Sequence, residues 1–258
     1  MSDCFDSAET RRNIALILRY DGTRFHGWQR QRNAVTVQGT LENAIAEVTG
    51  EAVSVIGCGR TDAGVHAEYY VANFRSSCAI PADRLPFALN SRLPDDISVQ
   101  RAREVPWNFH AVFDCEQKEY TYRIHSAAVR DPLLNNRSWW YPHTLDTGAM
   151  IRGSAEFIGT HDFSAMRTVG TNVKSTVRTI FSFDIFKNCD IINLRVVADG
   201  FLYNMVRAMV GTLVYVGIGK IQPTEIAEIL KSEKRSLAGP TAPPQGLYMT
   251  NAVYSVRL

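Results

Sequence analysis

The sequence predicts an α+β fold with two lobes of similar size, and three observations lead to this prediction. The chain has 258 residues, which is enough for one large or two small domains. In both halves, segments with helical periodicity alternate with segments typical of antiparallel strands. Hydrophobic residues make up 45% of the chain and charged residues 21%, which is typical of a globular protein with a sizeable core. We place the lobes at 1–110 and 111–258.

The first half begins with a predicted strand at 13–20, which is mostly apolar and ends at the turn residue Asp21. A helix is predicted at 36–49, because four apolar residues share one face, Thr36 can cap the start and Gly50 can end the helix. The other predicted elements of this half are strands at 52–57, 69–75 and 97–105 and a helix at 81–93.

The second half repeats this pattern of strands and helices. Its predicted strands lie at 117–125, 176–186, 191–197 and 247–256, and its predicted helices at 146–158, 203–217 and 223–232. The Pro/Gly-rich stretch 239–246 is predicted to be a loop before the last strand.

The net charge of +2 does not by itself indicate a nucleic-acid-binding protein, but residues 11–32 carry six arginines against a single acid. Such a stripe can bind phosphates, or it can be a solvated surface with its counter-charges elsewhere in the fold. The charge run alone favours the solvated surface. From this stripe we select Arg24, Gln29 and Arg30 as candidate substrate contacts.

The cysteines and histidines indicate neither a disulfide framework nor a metal site. The five cysteines are scattered without a C-x-x-C pair, and the six histidines lack paired ligand spacing. Segment 1–12 has no apolar core of a signal peptide, and the apolar stretch 205–218 is too short to span a bilayer. We therefore expect a cytoplasmic protein with no bound metal and no membrane association.

The segment most informative about chemistry is GCGRTDAGVHA at 57–67, where three glycines bracket Arg60 and Asp62. Glycine allows a ligand to approach the backbone closely, and a nearby arginine favours the ionised carboxylate. Spacing alone slightly favours a structural turn in which Asp62 bonds to its own backbone. A dinucleotide fingerprint is excluded because Asp62 occupies its third glycine position, and GIGK at 217–220 lacks phosphate-loop spacing. We therefore expect no nucleotide cofactor.

The segment GRTDAGVHA at 59–67 resembles the catalytic signature of the tRNA pseudouridine synthase A family. Further blocks resemble the same family in the same order along nearly the whole chain. They are YDGTRFHGWQ at 20–29, TVQGTLE at 36–42, FHA at 109–111, KEYTY at 118–122, HDF at 161–163, VRTI at 177–180, GFLYNMVRAMVG at 200–211 and GLY at 246–248.

The resemblance implies an enzyme that converts uridine to pseudouridine at nucleotides 38, 39 and 40 of the tRNA anticodon stem-loop. It implies Asp62 as the catalytic carboxylate, Tyr120 as the residue that stacks on the flipped uracil, Arg207 as the basic partner of Asp62, and Arg60 as a supporting arginine. It also implies a homodimer that shares the tRNA and needs no cofactor. The expected architecture is two ferredoxin- or RRM-like lobes, a long mixed and mostly antiparallel sheet with helices on one face, and a basic cleft between the lobes.

The chemistry explains why these groups are needed, although each has a plainer explanation. Asp62 must be ionised to act as a nucleophile or a base, and Arg207 would oppose the rise in pKa that burial causes. Tyr120 offers a π-face to a flipped base, but it or Tyr122 can simply pack in the core. Arg207 can equally be a surface charge on an amphipathic helix.

Two positions depart from the family pattern, and two other functions stay open. Val112 stands where a basic residue is expected, and Lys118 replaces an arginine, so one RNA contact would be weaker or come from elsewhere. The first alternative is a non-catalytic RNA-binding module. The second is a cofactor-free hydrolase that uses Asp62 with His66 or Cys58, although a small buried thiol is the more ordinary role for Cys58.

Overall fold

The computed structural model describes residues 11–168 and 173–258. Cys4 and most of the segment 1–12 considered above lie outside these residues. In order along the chain, the α-helices and strands are β1 (Arg12–Tyr20), α1 (Val37–Thr49), β2 (Ile56–Gly57), β3 (His66–Ser76), α2 (Leu85–Asn90), β4 (Ile97–Val105), β5 (Cys115–Ser126), β6 (Trp139–Tyr141), α3 (Thr147–Ala155), β7 (Gly159–Asp162), β8 (Val177–Asn188), β9 (Ile191–Ala198), α4 (Met205–Gly217), α5 (Glu225–Ser232) and β10 (Leu247–Tyr254).

A single sheet contains all of these strands, in the order β4-β1-β3-β10-β5-β9-β8-β7, with β2 paired to β3 and β6 paired to β5. The β10–β3 and β5–β6 pairs are parallel, and the other pairs are antiparallel. The predicted α+β class with a long mixed, mostly antiparallel sheet is therefore confirmed. The division into lobes 1–110 and 111–258 and the cleft between them stay predictions, because the sheet runs through both halves without a break.

The last strand brings distant parts of the chain together. Met249 of β10 pairs with Ala67 of β3 on one side and with Tyr120 of β5 on the other. The loop that carries Asp62 ends where β3 begins. Because β10 pairs with both β3 and β5, the Asp62 loop lies close to Tyr120 of β5. A strand contributed by the chain terminus thus positions two of the predicted site residues.

Helix α4 and the segment that follows α5 pack unusually closely. A Cβ atom at Gly211 of α4 would lie 1.6 Å from the carbonyl oxygen of Pro240, so only glycine fits at this crossing. Thr212 strengthens the contact by accepting a hydrogen bond from the backbone N–H of Gly239 at 3.0 Å. The predicted loop 239–246 therefore runs against α4, and Ala242 lies beside the first turn of that helix.

Most predicted elements are present within a few residues, and the exceptions have physical reasons. The strand predicted at 52–57 is wrong except for its last two residues. The backbone N–H of Val55 donates to Glu42, and its carbonyl accepts from Gln38, so side chains of α1 replace a strand partner. The helix predicted at 81–93 is a short 3-10 turn followed by α2. Strands β6 and β7 were not predicted.

Candidate active site

The loop that carries Asp62 is held by the end of β1 and the segment that follows it. The backbone N–H of Trp28 donates to the carbonyl of Thr61 at 3.1 Å, and the hydroxyls of Tyr20 and Thr61 lie 2.9 Å apart. Gly27 has φ +83°, and a Cβ atom there would lie 2.4 Å from the carbonyl oxygen of Thr61. The YDGTRFHGWQ block therefore packs against the loop that carries Asp62 and fixes its position.

Arg207, in the first turn of α4, forms an ion pair with Asp62. Its Nη1 lies 3.0 Å from Oδ2 of Asp62, and their side chains are 15% and 20% exposed. The same guanidinium donates to Oδ1 of Asn204 at 2.7 Å and to the carbonyl of Ala242 at 2.7 Å. Because three acceptors from separate parts of the chain fix it, the guanidinium has a defined position against the carboxylate.

Burial raises the pKa of Asp62 above its ordinary value, and the hydrogen bond and charge of Arg207 oppose this rise only in part. The expected role of Arg207 as the basic partner of Asp62 fits this geometry, but its effect does not outweigh that of burial. Arg207, and not Arg60, is the basic group that bonds to Asp62, so the expected effect of Arg60 on the carboxylate stays a prediction. A carboxyl of this kind gains reactivity as a base or nucleophile while remaining able to ionise.

Asp62 and Arg207 line a cleft of about 310 Å³ together with Tyr120. Tyr120 is 7% exposed, and its ring packs edge-on against Phe201 with centroids 5.1 Å apart and an interplanar angle of 86°. Burial raises the pKa of Tyr120, so its hydroxyl stays neutral at physiological pH. Tyr122, by contrast, is fully buried and donates to the carbonyl of Pro243 at 2.7 Å. Of the two tyrosines, Tyr122 packs in the core and Tyr120 faces the cleft.

Two basic side chains lie at the cleft without an acidic partner among the described residues. Arg60 is exposed, and Lys118 is half-buried on β5. Neither forms an ion pair within residues 11–168 and 173–258. Both are therefore available to a phosphate, and Lys118 keeps a positive charge at the position where the family pattern has arginine.

Three of the predicted substrate contacts do not line this cleft. Arg24 forms an ion pair with Asp96 at 2.7 Å, and Arg30 pairs with Glu42 at 3.0 Å. Gln29 lies in a neighbouring depression instead. Arg24 and Arg30 thus have counter-charges elsewhere in the fold, as does Arg12, which pairs with Glu104.

His66 and Cys58 are structural in this site. His66 is buried, and burial lowers its pKa. Its Nδ1 lies 3.0 Å from the backbone nitrogen of Gly22 and 3.0 Å from Oδ1 of Asp21, and its Nε2 lies 3.2 Å from the carbonyl oxygen of Gln245, so both ring nitrogens have partners. Cys58 is fully buried, and burial raises the pKa of its thiol to about 12. Neither group lines the cleft with Asp62, and the thiol of Cys58 stays protonated, so neither is placed to assist Asp62 in a hydrolase.

Among the described residues, no group of three or more His, Cys, Asp or Glu side chains could hold a metal ion.

No helix in residues 11–168 and 173–258 is long and apolar enough to cross a membrane.

Sequence reasoning missed three residues that support the site. Asn204 and Ala242 hold the Arg207 guanidinium, and Phe201 packs against Tyr120. Asn204 also adopts φ 60°, in the left-handed region that asparagine tolerates, immediately before α4. The GFLYNMVR block contains two of these residues, but nothing in its spacing assigns them these contacts, and Ala242 carries no local signal.

Comparison with known proteins identifies relatives of this chain. The sequence model of the family described as tRNA pseudouridine synthase matches residues 16–114 and 154–255. A tRNA pseudouridine synthase A from Thermoanaerobacter sp. (strain X514) is 51% identical over 243 residues, which cover 94% of this chain and 100% of the relative. Proteins of the same name from Acetivibrio thermocellus and Caldicellulosiruptor bescii are 49% and 45% identical over the same shares of each chain.

Proposed function

This chain belongs to the tRNA pseudouridine synthase family, and on that premise we propose that it isomerises uridine to pseudouridine at nucleotides 38, 39 and 40 of the tRNA anticodon stem-loop. The observation that supports this most strongly is the ion pair between Asp62 and Arg207, placed at a cleft that Tyr120 also lines. The reaction breaks the bond from ribose C1′ to uracil N1, forms a bond from C1′ to C5, releases the hydrogen of C5 as a proton and leaves N1 protonated. It consumes no water and transfers no electrons to a cofactor.

The target base must first leave the stem, which costs a few kcal/mol because stacking and pairing are lost. Arg60 and Lys118, which both line the cleft, bind phosphates of the RNA and offset part of this cost. Stacking of the uracil against Tyr120 contributes about 1–3 kcal/mol more.

Asp62 then begins the bond exchange in its ionised form. A carboxylate at this position can attack ribose C1′, attack uracil C6 or remove the C2′ proton, and all three routes need the unprotonated group. Arg207 positions the carboxylate and opposes the rise in its pKa. Activity should therefore increase as the pH rises through the pKa of Asp62.

The same proposal includes the wider setting of the enzyme. The protein works in the cytoplasm as a homodimer that shares the tRNA, with tRNA as its partner and no cofactor, and its chain is divided into lobes at 1–110 and 111–258. Neither His66 nor Cys58 lines the cleft, and both ring nitrogens of His66 already have partners, which speaks against a hydrolase that uses them with Asp62. A binding module without activity is the remaining alternative.

The test uses unmodified tRNA transcripts that each carry one uridine at nucleotide 38, 39 or 40, and a control transcript with uridines only outside these positions. The uridines are labelled with tritium at C5, because formation of the new bond at C5 releases that hydrogen. We expect release from the first three transcripts and none from the control, without an added cofactor. Release from the control would contradict the proposed positions, and tRNA binding without any release would support the binding module.

A further inference from the structure

A depression beside the cleft has a volume of about 390 Å³ and shares Gly59 and Arg60 with the cleft. The exposed side chains of Gln29 and Val112 stand on its walls. Because the two share this edge, an RNA strand that places a nucleotide in the cleft can continue over Gly59 and Arg60. The depression is therefore where a neighbouring nucleotide would lie.

The side-chain amide of Gln29 is oriented by a buried neighbour. Its Nε2 donates to Oε1 of Gln38 at 2.8 Å, and the backbone N–H of Arg30 donates to the same oxygen at 2.9 Å. One N–H and the carbonyl oxygen of the Gln29 amide have no hydrogen-bond partner among the described residues. The wall of the depression thus presents one donor and one acceptor side by side in a fixed position.

Gln38 is itself held in a network that buries a charge. Gln38 and Glu42 are 7% and 6% exposed. Nε2 of Gln38 donates to Oε1 of Glu42 at 3.1 Å and to the carbonyl of Val55 at 3.0 Å, and Arg30 pairs with the other carboxylate oxygen at 3.0 Å. Because every polar group of Gln38 is satisfied, the amide of Gln29 is anchored rather than free to rotate.

We propose that this depression binds the ribose of the nucleotide next to the target uridine, through a hydrogen bond between the Gln29 amide and the 2′-hydroxyl. The inference rests on the proposed function, since it assumes that a flipped uridine occupies the cleft. The ribose and the phosphate are the parts of a neighbouring nucleotide that a protein can contact whether or not its base is paired. A 2′-hydroxyl is both donor and acceptor, which matches the two free groups of the amide, and Arg60 holds the phosphate between the two nucleotides.

The experiment combines a protein change with an RNA change in a double-mutant cycle. The enzyme is wild type or Gln29→Ala, and the substrate is a synthetic anticodon stem-loop with one target uridine. The RNA is either all ribose or has a single 2′-deoxynucleotide on the 5′ side of the target, on the 3′ side, or in the opposite strand as a control. The matched protein control is Gln31→Ala, an exposed glutamine close in sequence that does not line the depression. The quantity compared is kcat/KM for pseudouridine formation, with thermal unfolding of each variant as a check on folding.

We expect the wild type to lose about fivefold in kcat/KM with the 2′-deoxynucleotide at one of the two neighbouring positions, the size of effect that one hydrogen bond produces. Gln29→Ala should show the same loss on all-ribose RNA and no further loss on the deoxy substrate, whereas Gln31→Ala should behave as wild type. The inference is overturned if the two losses multiply or if neither neighbouring 2′-hydroxyl matters. A wild type that forms no pseudouridine on any substrate would instead refute the proposed function itself.

Discussion

Replacement of Arg207 by methionine should move the acidic limb of the activity profile to higher pH. The side chain keeps its approximate length but loses its charge, so burial acts on Asp62 without the opposing contact at 3.0 Å. An opposite charge at this range lowers the pKa of a carboxyl by about 1–3 units. We therefore expect the acidic limb of kcat/KM to move to higher pH, and each pH unit of movement lowers the rate on that limb about tenfold.

The assay measures kcat/KM by release of tritium from C5 of uridine across the acidic limb and the plateau of the pH profile. Arg207→Lys is the matched control, because it keeps the positive charge but cannot reach Asp62, Asn204 and Ala242 together. Its limb should stay near that of the wild type while its plateau rate falls. An Arg207→Met limb that coincides with the wild-type limb would refute the reasoning.

The sign of the accompanying stability change follows from the same pKa. Because folding raises the pKa of Asp62, the folded state binds this proton more tightly than the unfolded state does. Its contribution to the free energy of unfolding is greatest below the ordinary carboxyl pKa and is lost as the pH rises through the raised value. Arg207→Met should extend the pH range of this contribution upward, because the pKa of Asp62 rises further. Urea unfolding at several pH values would detect the change.

Three further predictions concern Tyr120 in the cleft, Gly27 beneath the Asp62 loop and Val112 in the neighbouring depression. Tyr120→Ala should lower kcat/KM by about 10–100-fold through loss of stacking. Tyr120→Phe keeps the ring and should retain tRNA affinity. Steady-state kinetics would contradict the stacking role if the two variants had the same kinetic constants for tRNA. Gly27→Ala should lower kcat and destabilise the protein by more than about 1 kcal/mol in urea unfolding, because a left-handed φ and the carbonyl of Thr61 both oppose a Cβ atom, and an unchanged unfolding midpoint would contradict this. Val112→Arg should lower the KM for tRNA and steepen its dependence on salt by about one unit of log–log slope, because it adds a cation beside Arg60, and an unchanged salt slope would contradict this.

The fold could be predicted largely because local patterns and tertiary structure agree. The apolar face of α1 between the Thr36 cap and Gly50 is one such pattern, since Thr36 does accept from the N–H of Gly39 and Gly50 does adopt a left-handed conformation. The segment 52–57 was misjudged because side chains of α1 satisfy its backbone, which a local pattern does not reveal. The insertion of β10 between β3 and β5 also depends on contacts between residues far apart in sequence.

The site could be predicted in its central residues but not in its supporting ones. The resemblance named Asp62, Tyr120 and Arg207, and the structure places all three at one cleft. Arg24 and Arg30 were chosen as substrate contacts because they lie in a run of positive charge. Such a run does not show which acidic residues, distant in sequence, will lie beside these arginines in the fold. Asp96 and Glu42 supply those counter-charges here.

The most direct test of the central claim compares wild type with Asp62→Asn on a tRNA transcript with a uridine in the anticodon stem-loop. Asp184→Asn is the matched control, because Asp184 also pairs with an arginine, at 2.8 Å, but does not line the cleft. We predict that Asp62→Asn folds and binds the tRNA but forms no pseudouridine under single-turnover conditions, while Asp184→Asn retains the wild-type rate. Pseudouridine formation by Asp62→Asn at the rate of the control would contradict the assignment of Asp62 as the catalytic carboxylate.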